Sequence, residues 1–288
     1  MVNSEDKSRR SRFSFGSGSR KGFVSNFQIK EQKKGSEEPE KKSINMAEEI
    51  DIIYQKSSEN MSELENNSIA LTVTSPPYNI GKESDQDLTN LQYWDLMNKT
   101  FKEVLRVTQP GGRVVINIAN LGRKPYQPLN KQFTDMLINL GFLMRGEVIW
   151  QKSKGANANF AWGSWMSASN PVLRDIHEYC IIFSKESFKR QVSGESTISK
   201  ENFMESTLSI WNIAPEKAKK IGHPAPFPVE LPKRFIDLYS FKDEVILDPF
   251  IGSGTTALAA KSLNRHYIGY EINNDYIQIA NLRLKDTN

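Results

Sequence analysis

Ser75-Pro76-Pro77-Tyr78 gathers an alcohol, two backbone-locking rings and a phenol in four residues, directly after the apolar run Ile69–Thr74. The prolines fix the chain and remove two N–H donors, which leaves the Ser75 hydroxyl and the Pro76 carbonyl as acceptors. Two acceptors side by side suit the two hydrogens of an amino group on a planar ring, and Tyr78 can stack on that ring. An aromatic amine is a poor nucleophile because its lone pair is delocalised. Hydrogen bonds that favour a more pyramidal nitrogen raise its reactivity toward an electrophilic carbon. Taken alone, Ser-Pro-Pro-Tyr reads first as a rigid turn that exposes a tyrosine.

A second constellation lies near the C-terminus, where Val245-Ile246-Leu247-Asp248 leads through Pro249-Phe250-Ile251-Gly252-Ser253-Gly254 into Thr255-Thr256. Glycines let a backbone approach a ligand closely, and the helix that follows offers free N–H groups. Glu271 stands 23 residues after Asp248, at the end of the next apolar run. An acidic residue there can accept hydrogen bonds from ribose hydroxyls. The run has neither the G-x-G-x-x-G of a dinucleotide site nor the lysine of a phosphate-gripping loop. It fits a nucleoside that carries an amino-acid moiety, with Asp248 toward the ammonium group and Glu271 toward the ribose. S-adenosylmethionine is such a ligand. By itself, this turn also serves as a plain strand-to-helix connection.

The elements that must position these turns alternate between strands and helices. Ile69–Thr74 reads as a buried strand, and Trp94, Met97, Phe101, Val104 and Leu105 mark a helix ended by Pro110-Gly111-Gly112. Val114–Ile118 is a strand. Phe133, Met136, Leu137 and Leu140 mark a helix closed by Gly141, and a strand through Val148–Trp150 follows. After a polar excursion from Gln151 to about Arg174, His177–Phe183 returns as a strand. Val245–Leu247, a helix from Thr255, Tyr267–Tyr270 and a helix from Asp275 complete the pattern. Such alternation predicts a mostly parallel sheet with helices on both faces.

The 288 residues are 38% hydrophobic and 25% charged, with a formal net charge of +4. That charge is unevenly placed. Residues 1–46 hold 11 Lys/Arg against 6 Asp/Glu, a net of +5, while the other 242 hold 27 against 28, a net of −1. This Ser/Gly-rich leader has no helical or strand period and reads as a disordered basic tail. It serves either as a solvated leader or as an arm drawn to nucleic-acid phosphates. Cys180 is the only cysteine, and three scattered histidines (His177, His223, His266) give no ligand spacing, so no disulfide framework or metal centre is expected. No run approaches the roughly 20 apolar residues of a membrane span, and no apolar signal opens the chain, which predicts a cytoplasmic protein without a membrane partner.

Together the two turns resemble the DNA amino-methyltransferases. Ser75-Pro76-Pro77-Tyr78 matches that family's catalytic turn, and Asp248–Thr256 matches its cofactor turn at every fixed position. His223-Pro224-Ala225-Pro226-Phe227-Pro228 is similar to the segment that completes the cofactor pocket. With the catalytic turn first and the cofactor turn last, the order resembles the circularly permuted beta group, across roughly 48–285. The resemblance implies a Rossmann-like S-adenosylmethionine-dependent α/β fold. Its segments would be a tail (1–46), a catalytic half (47–150), a target-recognition region (151–210) and a cofactor half (211–288). It implies catalytic roles for Ser75, Pro76, Pro77 and Tyr78. It implies cofactor contacts from Asp248, Pro249, Phe250, Gly252, Ser253, Gly254, Thr255, Glu271, His223 and Pro224.

The target base would leave the duplex to reach such a site. Trp162, Trp165 and Arg174 are candidate DNA contacts, although the tryptophans serve equally as packing for a loop. Asn117 is expected near the cofactor, and His177 as an ordinary strand residue. C5-cytosine chemistry needs an attacking thiolate, and Cys180 sits in an apolar strand pattern, which excludes it. In the family, Ser at the first position of the turn goes mostly with N4-cytosine and Asp with N6-adenine, so Ser75 favours cytosine over the adenine alternative. The transfer would be direct, with no covalent intermediate, on double-stranded DNA. A separately encoded restriction endonuclease is a candidate partner, and the oligomeric state stays open.

Overall fold

A computed structural model describes residues 50–79, 88–122, 125–152, 163–216 and 227–286. Strands β1 (Ile52–Tyr54), β2 (Ile69–Thr74), β3 (Thr108–Ile118), β4 (Phe142–Gln151), β5 (His177–Lys185), β6 (Ile210–Asn212), β7 (Val245–Asp248) and β8 (His266–Tyr270) form one sheet. Six helices accompany them among the described residues: α1 (Asn90–Val107), α2 (Leu129–Leu140), α3 (Lys200–Ser206), α4 (Glu230–Tyr239), α5 (Thr255–Ser262) and α6 (Asn274–Lys285).

The sheet order is β1-β8-β7-β2-β3-β5-β4-β6, and β5 alone runs antiparallel to its neighbours. The alternation of side chains along the central strands divides the core into two layers. Val114, Ile116, Ile118, Ile181 and Phe183 face α1 and α2, where Phe101 and Phe133 are fully buried. Val115, Cys180 and Ile182 face the other way, with Phe235 and Ile236 of α4 and Ala257, Ala259 and Ala260 of α5. This is the Rossmann-like α/β architecture the pattern predicts, with helices on both faces.

Local chemistry sets the element ends. Thr89 caps α1 reciprocally: its side chain accepts from the Gln92 N–H while the Gln92 side chain accepts from the Thr89 N–H. Gly141 closes α2 in the left-handed region at φ 106°. Pro110-Gly111-Gly112 does not end α1, which stops at Val107; the three residues already belong to β3. Gly111 is needed there because φ is 75° and a Cβ would stand 2.2 Å from the Lys189 carbonyl oxygen.

Segments 47–150, 151–210 and 211–288 all contribute to this one sheet, and β5 from the second lies in its interior. The basic tail 1–46, with Trp162, His223 and Pro224, lies outside the described residues. No helix among the described residues is long and apolar enough to cross a membrane.

Candidate active site

β2 and β7 are parallel neighbours, with Leu71 opposite Ile246 and Thr72 opposite Leu247. Their carboxyl ends therefore bring the Ser-Pro-Pro-Tyr turn and the Gly-rich turn together, although 174 residues separate Thr74 from Asp248. The joint is one buried carboxylate. Asp248 Oδ1 accepts from the Thr74 hydroxyl at 2.7 Å and the Phe250 N–H at 3.0 Å, and Oδ2 accepts from the Thr256 hydroxyl at 2.6 Å. Asp248 is 1% exposed, and burial raises its pKa from 3.8 to about 6 against the pull of these donors. The sequence alone turns this carboxylate toward a ligand's ammonium group. In the structure its oxygens also brace the two turns against each other.

The cofactor turn is shaped by Gly252 (φ 49°) and Gly254 (φ 80°). At Gly254 a Cβ would also meet the Ala280 Cβ at 2.8 Å, so glycine is required for α6 to pack there. Glu271, at the end of β8, reaches back to the same turn. Its Oε2 accepts from the Gly252 N–H at 3.1 Å and its Oε1 from the Asn273 N–H at 2.8 Å. Burial raises the Glu271 carboxyl above its usual range. Arg283 of α6 clamps the turn from behind, donating to the Ser253 carbonyl at 2.5 Å, the Ser253 hydroxyl at 3.0 Å and the Thr255 hydroxyl at 3.2 Å. Sequence reasoning misses this arginine, because nothing marks a lone Arg on an amphipathic helix.

In the other turn, Pro76 is buried and the Pro77 carbonyl accepts from the Tyr93 hydroxyl at 2.8 Å. The Tyr78 hydroxyl accepts the Ala119 N–H at 3.2 Å and lies 3.5 Å from Glu178 Oε2. Burial, then the Glu178 carboxylate, push the Tyr78 phenol well above its usual range, opposed by hydrogen bonds from the Ser75 hydroxyl and the Ala119 N–H. Tyr78 also borders a cavity of about 430 Å³ lined by Asn79, Tyr93, Trp94, Gln127 and Gln132. Aromatic faces beside amide groups suit a flat polar ligand.

Asn117, near the end of β3, bonds to two side chains of β5. Its Nδ2 donates to Glu178 Oε2 at 2.7 Å, and its Oδ1 accepts from the Cys180 thiol at 3.4 Å. Cys180 is fully buried, and burial followed by Glu178 pushes its thiol well up. It is no nucleophile at neutral pH. His177 is a strand residue whose ring stands edge-on to Tyr179 at 5.0 Å.

The connection from β4 to β5 leaves the sheet edge that carries both turns, because β4 runs parallel to β2 and ends there. Its described part is knitted by the Ser164 hydroxyl, which donates to the Ser167 carbonyl at 2.7 Å and accepts from the Asn170 N–H at 2.8 Å. Trp165 is 66% exposed, and Arg174 is exposed on the same connection.

Fold and site thus define a Rossmann-like methyltransferase with its two working turns in permuted order. A family model described as DNA methylase matches residues 69–282. The chain belongs to this family of N6/N4 DNA amino-methyltransferases. It is 32% identical over 272 residues to the Type II methyltransferase M.MthZI of Methanothermobacter thermautotrophicus, covering 82% of this chain and 76% of that one. It is 32% identical over 258 residues to the orphan methyltransferase M.BamHII of Bacillus amyloliquefaciens, covering 76% of this chain and 89% of that one.

Among solved structures, the DNA modification methylase TTHA0409 of Thermus thermophilus, complexed with S-adenosyl-L-methionine, superposes at a TM-score of 0.65. It is 27% identical and covers 82% of this chain and 95% of its own. The cytosine-N4-specific PvuII DNA methyltransferase shares the fold at a TM-score of 0.65 and 22% identity, covering 80% of this chain and 85% of its own. The cofactor is S-adenosylmethionine. The residues present fit it: two left-handed glycines open the turn, and Glu271 offers a carboxylate at its mouth.

Proposed function

We propose that this methyltransferase modifies the exocyclic N4 amine of cytosine in double-stranded DNA, as the modification partner of a separately encoded restriction endonuclease. The observation that carries the choice of base is Ser75, which stands where the adenine enzymes of the family typically carry Asp. When bound, S-adenosylmethionine supplies an electrophilic methyl group on a sulfonium sulfur. The chain's own residues do the rest. Gly252, Ser253, Gly254 and Thr255 seat the cofactor, with Pro249 and Phe250 shaping the approach, and Glu271 takes the ribose. Ser75 Oγ and the Pro76 carbonyl accept the two amine hydrogens, and Tyr78 stacks on the extruded base. Positioning supplies most of the acceleration, and no covalent enzyme intermediate forms, since the single thiol is buried and protonated.

Trp165 and Arg174 meet the DNA from the β4–β5 connection, within the recognition region 151–210. The reading is tested by incubating the protein with labelled S-adenosylmethionine and DNA of mixed sequence, then resolving the digested nucleosides. N4-methylcytosine is expected. N6-methyladenine as the sole product overturns the choice of base.

A further inference from the structure

Glu178 is a buried carboxylate that the transfer chemistry above does not use. It is 7% exposed on β5, on the same sheet face as Cys180 and Ile182, where an apolar side chain would pack at no electrostatic cost. Burying a carboxylate is unfavourable unless it is paired and fully hydrogen-bonded. Here the pairing is complete. Asn117 Nδ2 donates to Oε2 at 2.7 Å, Lys152 forms an ion pair with Oε1, and the Tyr78 hydroxyl approaches Oε2 at 3.5 Å. Three separate strands or strand ends therefore converge on one side chain, at the sheet edge that carries the catalytic turn.

We propose that Glu178 is a positioning residue for methyl transfer: by accepting a hydrogen bond from the Tyr78 hydroxyl it holds the Tyr78 ring where the target base must stack. A carboxylate can only accept, so Tyr78 donates toward Glu178. The phenolic oxygen then offers a lone pair to the Ala119 N–H, at 3.2 Å, so the phenol is held from two sides. The ring of Tyr78 is fixed by the same contact before DNA arrives. Lys152, the first residue after β4, ties this arrangement to the foot of the β4–β5 connection. The inference rests on the reading of Ser75 and Tyr78 as the base site.

The test is a double-mutant cycle on methyl transfer to DNA, with kcat, the KM for DNA, cofactor affinity and melting temperature measured for every variant. Glu178→Ala should lower kcat about 10- to 100-fold while cofactor affinity stays within about twofold, and Glu178→Gln, which keeps an acceptor, should recover most of the loss. Tyr78→Phe should lower kcat similarly. In the Tyr78→Phe background, Glu178→Ala should then cost less than about threefold. If Glu178→Ala does not fold, Glu178→Met, which keeps the volume and loses the acceptor, carries the same cycle. Losses that multiply, or a Glu178→Ala enzyme with unchanged kcat, overturn the proposal. Tyr78→Ala separates the two levels. If it leaves transfer intact, the base-site reading fails; if it abolishes transfer while the cycle is multiplicative, only the role of Glu178 fails.

Discussion

Replacing Asp248 with Asn should stabilise the protein, relative to wild type, as pH rises. The carboxylate joins the two turns, and its pKa is lifted from 3.8 to about 6 by burial. The folded state therefore holds its proton more tightly than the unfolded chain. The resulting penalty is absent below about pH 4, grows between pH 4 and 6, and reaches about 3 kcal/mol above that. About half has developed by pH 5, so the wild type loses roughly another 1.4 kcal/mol between pH 5 and pH 8. Asn keeps the shape and the bonds: its oxygen can accept from Thr74 and Phe250, and its amide can donate to Thr256, whose hydroxyl turns toward the Val73 carbonyl, now 3.4 Å away. Any cost of the substitution that does not vary with pH cancels when the two pH values are compared. For a domain of this size, the melting temperature of Asp248→Asn relative to wild type should rise by about 3–6 °C from pH 5 to pH 8. Differential scanning calorimetry at the two pH values measures it. A difference that is flat, or that falls with pH, refutes the claim that Asp248 is a desolvated brace.

Arg283→Ala frees the cofactor turn from α6, and should weaken S-adenosylmethionine binding about tenfold in equilibrium titration, with little change in kcat at saturating cofactor. Arg174→Ala should raise the Kd for DNA and reduce the slope of log K against log salt by about 0.9 if the side chain meets a phosphate, as read from binding isotherms at several salt concentrations. Removing residues 1–46, which carry a net of +5, should likewise weaken DNA binding and flatten its salt dependence. The preferred sequence should stay the same in a competition assay.

What can be read from the sequence follows the range of each interaction. β2 and β7 are legible as short apolar runs stopped by Pro or Gly, and α2 as a periodic stretch ended by Gly141, because those signals are local. β1 and β6 have three residues each and exist only by pairing with β8 and β4, which no local pattern announces. α4 escapes a sequence reading although Leu231, Phe235 and Ile236 share a face, since Pro232 in its first turn resembles a breaker. Both working turns are visible as motifs, but their junction is not. The Thr74–Asp248 bond spans 174 residues and the Tyr78–Glu178 contact spans 100, so only the sheet order reveals them. That is also why the bonds by which Asp248 braces the two turns cannot be read from the sequence.

The central claim, that the turn after β2 activates the amine, is tested most directly by single-turnover methyl transfer with Ser75→Ala at saturating DNA and cofactor. The geometry predicts a rate lower by about 10²-fold, with the S-adenosylmethionine Kd and the melting temperature unchanged. A Ser75→Ala enzyme that transfers methyl groups at the wild-type rate would contradict it.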